Sequence, residues 1–253
     1  MNSFLIACIS AACIYGGVLL GIVIRSRLPE HHLSSDSKDT MKLGAAMMAT
    51  LSALVLGLLI SSTKGTYDMV SSEVTRGAAT VIQLDRALAA YGPETRDIRI
   101  QIQRSVAAVI ADIWPEQKTA VPGMTQFERA NSIELVQARL RALAPVNDAQ
   151  RQLLTQAEQL SDDLLQFRWL LIEQLQNSLP IPLLVMLVFW LTMLHLSFGL
   201  QAPRNLTVMA VLLVTVLSVS SAIFIILELN HPLTGMIKVS NAPLLKALEY
   251  LGQ

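Results

Sequence analysis

The chain has 253 residues, of which 53% are hydrophobic and only 15% are charged, and its formal net charge is zero. Soluble domains usually carry roughly 25% charged residues, and the apolar excess here is concentrated in long blocks, so the composition excludes an ordinary soluble protein. A nucleic-acid partner is also excluded, because such proteins present a basic surface. We therefore expect an integral membrane protein whose first partner is the lipid bilayer.

The first apolar run covers residues 1–24 and is followed by two arginines. At about 1.5 Å per residue it is long enough to cross a bilayer. It lacks the positively charged start and short core of a cleaved signal peptide, so we predict a retained transmembrane helix at about residues 4–24. Gly17 and Gly21 are spaced so that a second helix could approach closely, and lipid-facing glycines are the alternative.

Metal and disulfide chemistry are not indicated. Cys8 and Cys13 both lie within the first apolar run, which argues against a disulfide framework. A polar loop is predicted at residues 25–41 and contains the pair His31-His32. Two histidines without a third ligand are more often solvated than metal-bound. We predict no metal site and no cofactor.

The second apolar run covers residues 43–63 and contains small residues at every fourth position. These residues share one helix face, which predicts a close-packing stripe. The small-residue stripe consists of Ala45, Ala49, Ala53, Gly57 and Ser61. Nothing in the sequence forces a break after this run until Gly92-Pro93, so the membrane helix is predicted to continue to Tyr91.

Residues 64–178 form the one sizeable polar region, and their apolar residues recur with a helical period. We predict four amphipathic helices joined by short turns, which favours an extramembrane antiparallel four-helix bundle. The first helix ends at Tyr91, and Asn147, alone or with Val146, would cap the fourth. The other predicted spans are 94–114, 126–143 and a helix starting near Asp148.

Two further apolar runs, at 179–202 and 206–227, are separated by a tight turn. The predicted fold is thus all-α, with four transmembrane helices in two hairpin pairs (1–63 and 179–229) and the bundle between the second and third helices. His195 is the ionisable residue of the third run. We expect it to be neutral and hydrogen-bonded to a neighbouring helix, with a functional role as the alternative.

Residues 230–253 form a polar tail after the fourth run. Glu228 lies at the membrane exit, where it either anchors the helix end or forms an ion or proton site with His231 or Lys238. Gly235 would allow a tight turn or a positive φ.

A short amphipathic helix is predicted at the end of the tail. It starts near Pro243, and Ser240, Asn241 or both would cap it.

The tail carries the most distinctive motif of the chain. From Glu228 it reads ELNHPLTGMIKVSNAPL. This resembles an E-L-(D/N)-x-P-(F/L)-(S/T)-G-x-I-(K/R)-V-S-x-x-P-L signature that closes members of a bacterial membrane-protein family called bestrophin-like. Its signature positions here include Pro232, Gly235, Ser240 and Pro243. The second apolar run and the following Tyr67-Asp68 also resemble that family, so the resemblance covers nearly the whole chain.

The resemblance implies a function. Bestrophins are pentameric anion channels with a cytosolic helical body, so it implies a homo-oligomeric ion channel or ion pathway in a bacterial inner membrane. The Trp-rich part of the corresponding bestrophin stretch is absent here, and Met69 follows Asp68. The second hypothesis is a membrane sensor or scaffold whose bundle binds a partner or ligand. No catalytic set of residues stands out, so an enzyme is not predicted.

The loop charges and the bestrophin resemblance imply opposite orientations of the chain in the membrane. The short segments on one side of the membrane carry five positive charges, which favours a cytoplasmic position for them and places the bundle outside. These charges are Arg25, Arg27, Lys38, Lys42 and Arg204. The bestrophin resemblance implies a cytosolic bundle.

Overall fold

The computed structural model describes residues 2–29, 35–114, 132–176, 181–203 and 205–253. Its helices, in chain order, are α1 (Ser3–Arg27), α2 (Ser35–Tyr91), α3 (Arg96–Ile113), α4 (Ser132–Arg141), α5 (Asp148–Gln176), α6 (Ile181–Gln201), α7 (Leu206–Leu229) and α8 (Ala242–Tyr250). A short 3-10 helix (Pro93–Thr95) precedes α3. The described residues contain no strand, which confirms the all-α prediction.

Four of the described helices are long and apolar enough to cross a membrane. They are α1, the part of α2 from Asp39 to Tyr91, α6 and α7. Their apolar stretches coincide with the four runs of the sequence. Candidate membrane spans are therefore found where the hydropathy predicts them.

The polar loop predicted at 25–41 is too long at both ends. α1 continues to Arg27, and α2 begins at Ser35. Hydropathy marks the membrane-embedded part of a helix and not its polar ends. Lys42 Nζ lies 2.8 Å from Asp39 Oδ1, an exposed pair at helical spacing. His31-His32 lies outside the described residues.

The predicted helix signals around the polar region are confirmed where the structure describes them. α2 ends at Tyr91, and Gly92 has φ +143°, a conformation that glycine adopts more easily than other residues. Asn147 Oδ1 accepts a hydrogen bond from the Gln150 N–H at 2.8 Å, so Asn147 supplies the side-chain cap of α5. Residues 115–131, which include the turn predicted between the helices at 94–114 and 126–143, lie outside the described part.

The chain divides into two compact units. The first comprises Met1–Thr66, Ser178–His231 and Gly235–Ile237, and the second comprises Tyr67–Asn177, Pro232–Thr234 and Lys238–Gln253. α2 contributes residues to both units. The tail, predicted as a separate segment, is likewise divided between them.

In the first unit, α1 packs closely against α6 through glycines. A Cβ added to Gly17 would lie 2.7 Å from the Thr192 carbonyl oxygen, and one added to Gly21 would collide with the Leu196 carbonyl oxygen. A Cβ added to Gly199 of α6 would likewise collide with the Val18 carbonyl oxygen of α1. The contacting residue numbers rise together along both helices, so α1 and α6 run in the same direction. The predicted close approach at Gly17 and Gly21 is confirmed.

Replacing Gly21 with valine should weaken this contact strongly. The added carbons would overlap the α6 backbone, and we expect a loss of about 2–3 kcal/mol of unfolding free energy. Gly16→Val is the matched control, because no atom lies within 4 Å of a Cβ at Gly16. Unfolding by a denaturing detergent measures both variants. Equal effects would contradict the packing.

The small-residue stripe of α2 is mostly exposed. Ala45 is buried and Ala49 is half-buried, but Ala53, Gly57 and Ser61 are exposed. Only 17% of the most apolar window of α2 is buried, compared with 33% for each of α1, α6 and α7. Among the described residues, the predicted close packing is therefore not made beyond Ala49.

The second unit has its own apolar core. Apolar residues of α2 form one wall of it, and α3, α4, α5, α8 and the tail residues Leu233 and Val239 supply the rest. The fully buried side chains include Val70, Val74, Leu84, Leu88, Ile110 and Leu140. Burying each such side chain contributes roughly 1.5–3 kcal/mol, so this unit has a substantial core of its own.

A buried ion pair lies beside this core. Asp85 of α2 is 1% exposed, and it accepts hydrogen bonds from Arg99 Nε at 2.7 Å and from Arg99 Nη2 at 2.9 Å. The hydrogen bond with Asp85 is the main cause that raises the pKa of Arg99 above the ordinary arginine value. The pair fixes α3 against α2 with a two-pronged contact.

Candidate functional site

The end of α7 and the following residues form a loop around the Glu228 side chain. Glu228 is 3% exposed. Its Oε2 accepts hydrogen bonds from the backbone N–H of Met236 and, at 3.4 Å, from that of Ile237. A buried carboxylate is costly unless such donors replace its water shell. The geometry therefore fits the role of Glu228 as an anchor for the tail.

Gly235 is required by the close approach of this loop to Glu228. Its N–H donates to the His231 carbonyl oxygen at 2.8 Å, which closes a turn. A Cβ at Gly235 would lie 2.8 Å from Glu228 Oε2 and 2.9 Å from the His231 carbonyl oxygen. Among the described residues, the glycines with positive φ are Gly92 and Gly252. The turn alternative is confirmed, and the positive-φ alternative is wrong.

The two proposed partners of Glu228 occupy different settings. His231 donates its backbone N–H to the Glu228 carbonyl oxygen at 3.0 Å, and its side chain is exposed. Lys238 belongs to the second unit, where its carbonyl oxygen accepts a hydrogen bond from the Tyr67 hydroxyl at 3.2 Å. Backbone N–H groups of Met236 and Ile237 donate to the Glu228 carboxylate, and an ion or proton site here stays a hypothesis.

In the second unit, apolar tail residues belong to the core. Leu233 and Val239 are each 2% exposed. The Val239 N–H donates to the Pro232 carbonyl oxygen at 2.7 Å, and the Val239 carbonyl oxygen accepts from Trp114 Nε1 at 2.9 Å. Sequence reasoning missed Trp114. A buried indole N–H needs a hydrogen-bond acceptor, which the sequence can suggest for any tryptophan. Nothing in the sequence identifies the acceptor of Trp114, which lies 125 residues away.

The remaining signature residues start the last helix. Ser240 Oγ accepts a hydrogen bond from the Ala242 N–H at 3.2 Å. Asn241 occupies the N-cap position without a side-chain cap hydrogen bond, so Ser240 supplies the capping oxygen. Pro243 lies in the first turn of α8, where its missing N–H costs nothing. Asp68, beside Tyr67 on α2, is exposed.

His195 lies in α6 and is 2% exposed. Its Nδ1 donates to the Leu191 carbonyl oxygen of its own helix at 2.8 Å, because a carbonyl oxygen can only accept. Its Nε2 is buried and has no hydrogen-bond partner in the described part of the chain. The expected hydrogen bond to a neighbouring helix is therefore not found, and the observed one lies within α6.

A family model for the bestrophin-like domain matches residues 12–244. This range covers nearly the whole chain, from α1 to the first turn of α8. The chain belongs to the bestrophin-like domain family. Neither a curated protein nor a solved structure matches it.

The bestrophin-like match includes every residue of the tail signature from Glu228 to Leu244. The contacts explain why this stretch is so specific. Its carboxylate and glycine close one loop, its apolar residues fill a core, and its serine caps a helix. Each residue type is set by a different local requirement. For this bestrophin-like chain, the signature therefore describes an anchored tail.

Proposed function

We propose that this protein is a multi-pass inner-membrane protein in which several copies of the chain form an ion channel or ion pathway. Family membership supports an oligomeric membrane protein. The observation that carries the proposal is the poor coverage of α2, whose apolar window is 17% buried against 33% for the other membrane helices. A second copy is the partner that would cover it.

The chemistry of the uncovered face supports contact with a helix. Ala53, Gly57 and Ser61 are exposed on one side of α2. Small residues allow backbones to approach closely in a membrane, and a serine hydroxyl gains a partner there that lipid cannot provide. We place the ion path along the α2 helices of neighbouring copies.

The variant Gly57→Leu tests this interface. Apart from its chain neighbours and the local helix backbone, no atom of the described residues lies within 4 Å of a Cβ at Gly57, so the fold of one copy should be unaffected. We expect the assembly to dissociate into smaller species and the current across planar bilayers to fall at least about tenfold, since the leucine would separate the α2 helices. The measurement is conductance at matched protein density.

Gly16→Leu is the control, since it also adds a side chain where the chain leaves open space. It should retain assembly and current. A wild-type protein that is electrically silent, or a Gly57→Leu variant that conducts normally, would contradict the proposed ion path.

The proposed topology has two helical hairpins, with an extramembrane antiparallel bundle between them. The common direction of α1 and α6 supports it, because the first and third membrane helices must run the same way in such a chain. We place the bundle outside the cytoplasm, because the positive charges lie on short segments of this chain itself, whereas a cytosolic bundle is implied only by the bestrophin resemblance.

Labelling of a single cysteine tests the side. Val146 is 84% exposed and suits a Val146→Cys probe once Cys8 and Cys13 are replaced by serine. We expect an impermeant maleimide to label intact cells. Labelling that requires permeabilised cells would place the bundle in the cytosol, as the bestrophin resemblance implies.

A second candidate function is a non-enzymatic membrane sensor or scaffold whose bundle binds a ligand or partner. The observation that favours it is an apolar cavity within the second unit, lined by residues of α2, α3, α4 and α5. A sensor needs such a site, whereas an ion path does not.

A further inference from the structure

The second unit contains a cavity of about 70 Å³ within its helical core. Its walls are mainly aliphatic and aromatic, and they include Val81, Ile102, Val106, Val136, Leu164 and Phe167. Helical cores are normally close-packed, with few voids larger than a water molecule. A water molecule would need two to four polar partners, which walls of this composition do not favour. The cavity is therefore suited to an apolar guest.

One polar atom in the cavity wall lacks a partner. Ser161 of α5 is 0% exposed, and its Oγ has no hydrogen-bond partner among the described residues. Ser105 also lines the cavity, but its hydroxyl donates to the Gln101 carbonyl oxygen at 2.9 Å. A buried hydroxyl without a partner is unfavourable, so a guest that bonds to it gains affinity. The Ser161 hydroxyl is thus available to a ligand, whereas the Ser105 hydroxyl already donates to the backbone.

The cavity adjoins a second, polar pocket. This smaller pocket of about 40 Å³ is lined by Glu73, Arg76 and Asp163, among others. Gly77, Leu164 and Phe167 line both the pocket and the cavity. A Cβ at Gly77 would lie 2.8 Å from Phe167 Cε1, so the ring lies directly against the glycine. The Phe167 ring therefore forms part of the boundary that the polar pocket and the apolar cavity share.

We propose that the second unit binds a small uncharged molecule, a five-membered ring or a chain of similar size, through one hydrogen bond to Ser161. A dry cavity of about 150 Å³ accepts benzene, so a cavity of about half that volume selects a smaller guest. Charged ligands are excluded, because the apolar walls offer no counter-charge. This site supplies the ligand class for the second candidate function, and its occupancy does not depend on ion conduction.

Binding of pyrrole and cyclopentane to the full chain in lipid nanodiscs tests the proposal. Both probes are five-membered rings, and only pyrrole carries an N–H that Ser161 Oγ can accept. Shifts of the melting temperature with probe concentration give the affinities, with empty nanodiscs as the reference for partition into lipid. Both probes should stabilise the wild-type protein.

The variants Ser161→Ala and Ser105→Ala form a matched pair. Ser161→Ala should lower the affinity for pyrrole by about 2- to 10-fold and leave that for cyclopentane nearly unchanged, because one hydrogen bond is lost. Ser105→Ala should leave both affinities unchanged. Ser161→Leu fills the cavity and should abolish binding of both probes.

Equal pyrrole affinities of Ser161→Ala and Ser105→Ala would overturn the role of Ser161. Failure of either probe to stabilise the wild-type protein would overturn the site itself. Currents measured on the same nanodisc preparation after transfer to planar bilayers test the ion pathway separately. Loss of the ligand site and loss of the channel function are therefore distinguishable outcomes.

Discussion

Replacing Glu228 with alanine is expected to free the loop that follows α7. The N–H groups of Met236 and Ile237 would lose their buried acceptor, at a cost of about 1–3 kcal/mol. That cost corresponds to amide exchange of residues 233–239 that is roughly 5- to 150-fold faster. Hydrogen–deuterium exchange of the nanodisc-embedded protein measures this directly. Glu228→Gln should show a smaller effect, since its amide oxygen has two lone pairs and can still accept both hydrogen bonds that Oε2 accepts, although without the negative charge.

Glu249→Ala is the matched control for this prediction. Glu249 lies on α8, and its side chain is exposed, so its loss should leave exchange of the loop unchanged. Ion conduction separates the two hypotheses for Glu228. If Glu228→Gln keeps the loop protected yet abolishes or strongly alters the current, Glu228 acts as an ion or proton site and not only as an anchor.

The variant Asp85→Asn is expected to lower the unfolding free energy of the second unit by about 3–5 kcal/mol. The substitution leaves the guanidinium of Arg99 without its charged partner in a site where the carboxylate is 1% exposed. Chemical unfolding followed by far-UV circular dichroism gives the value. The control is Asp148→Asn, since Asp148 pairs with Arg151 at 2.9 Å on an exposed surface, with side chains 90% and 66% exposed. It should cost less than about 1 kcal/mol.

The raised pKa of Arg99 sets the sign of the pH dependence from this group. A cation whose pKa is raised by folding contributes stability at every pH below its ordinary pKa, and it loses that contribution as pH rises through the raised value. The difference in unfolding free energy between the wild type and Asp85→Asn should therefore stay constant as the pH rises from about 6 to about 10. A difference that shrinks towards pH 10 would contradict the pairing.

Much of the helical framework follows from local sequence signals. Gly92-Pro93 ends α2 because the backbone there adopts φ +143° and proline cannot continue a helix. Asn147 caps α5 through its side-chain oxygen. These interactions involve residues within a few positions of each other, so the sequence contains both partners. The N-terminal end of α2 was not predictable in the same way, because a polar helix turn and a polar loop have similar composition.

Packing partners depend on residues that are distant in sequence. The spacing of Gly17 and Gly21 indicates a helix that can be approached closely, but it does not identify α6 as the partner. The α2 stripe has the same kind of pattern, yet a Cβ at Gly57 would meet no other element among the described residues. Periodicity shows which residues share a face and not what covers that face.

The candidate site shows the same division. The sequence singled out Glu228 and Gly235, and the structure brings them together. His231 was also predicted as a side-chain partner of Glu228. Its side chain is exposed, and the observed donors to Glu228 are backbone N–H groups. Backbone donors have no sequence signature, since every residue except proline carries one. Trp114 and Ser161 were missed because their significance depends on burial beside a particular acceptor or cavity.

The number of copies in the solubilised complex tests the proposed oligomeric ion pathway most directly. Native mass spectrometry of the wild-type protein, released from mild detergent, gives this number without assumptions about shape. We predict a closed ring of several copies, five being the number that the resemblance to bestrophins implies, and its dissociation in Gly57→Leu but not in Gly16→Leu. A wild-type protein that is monomeric at every detergent concentration tested, with no current in planar bilayers, would contradict the account.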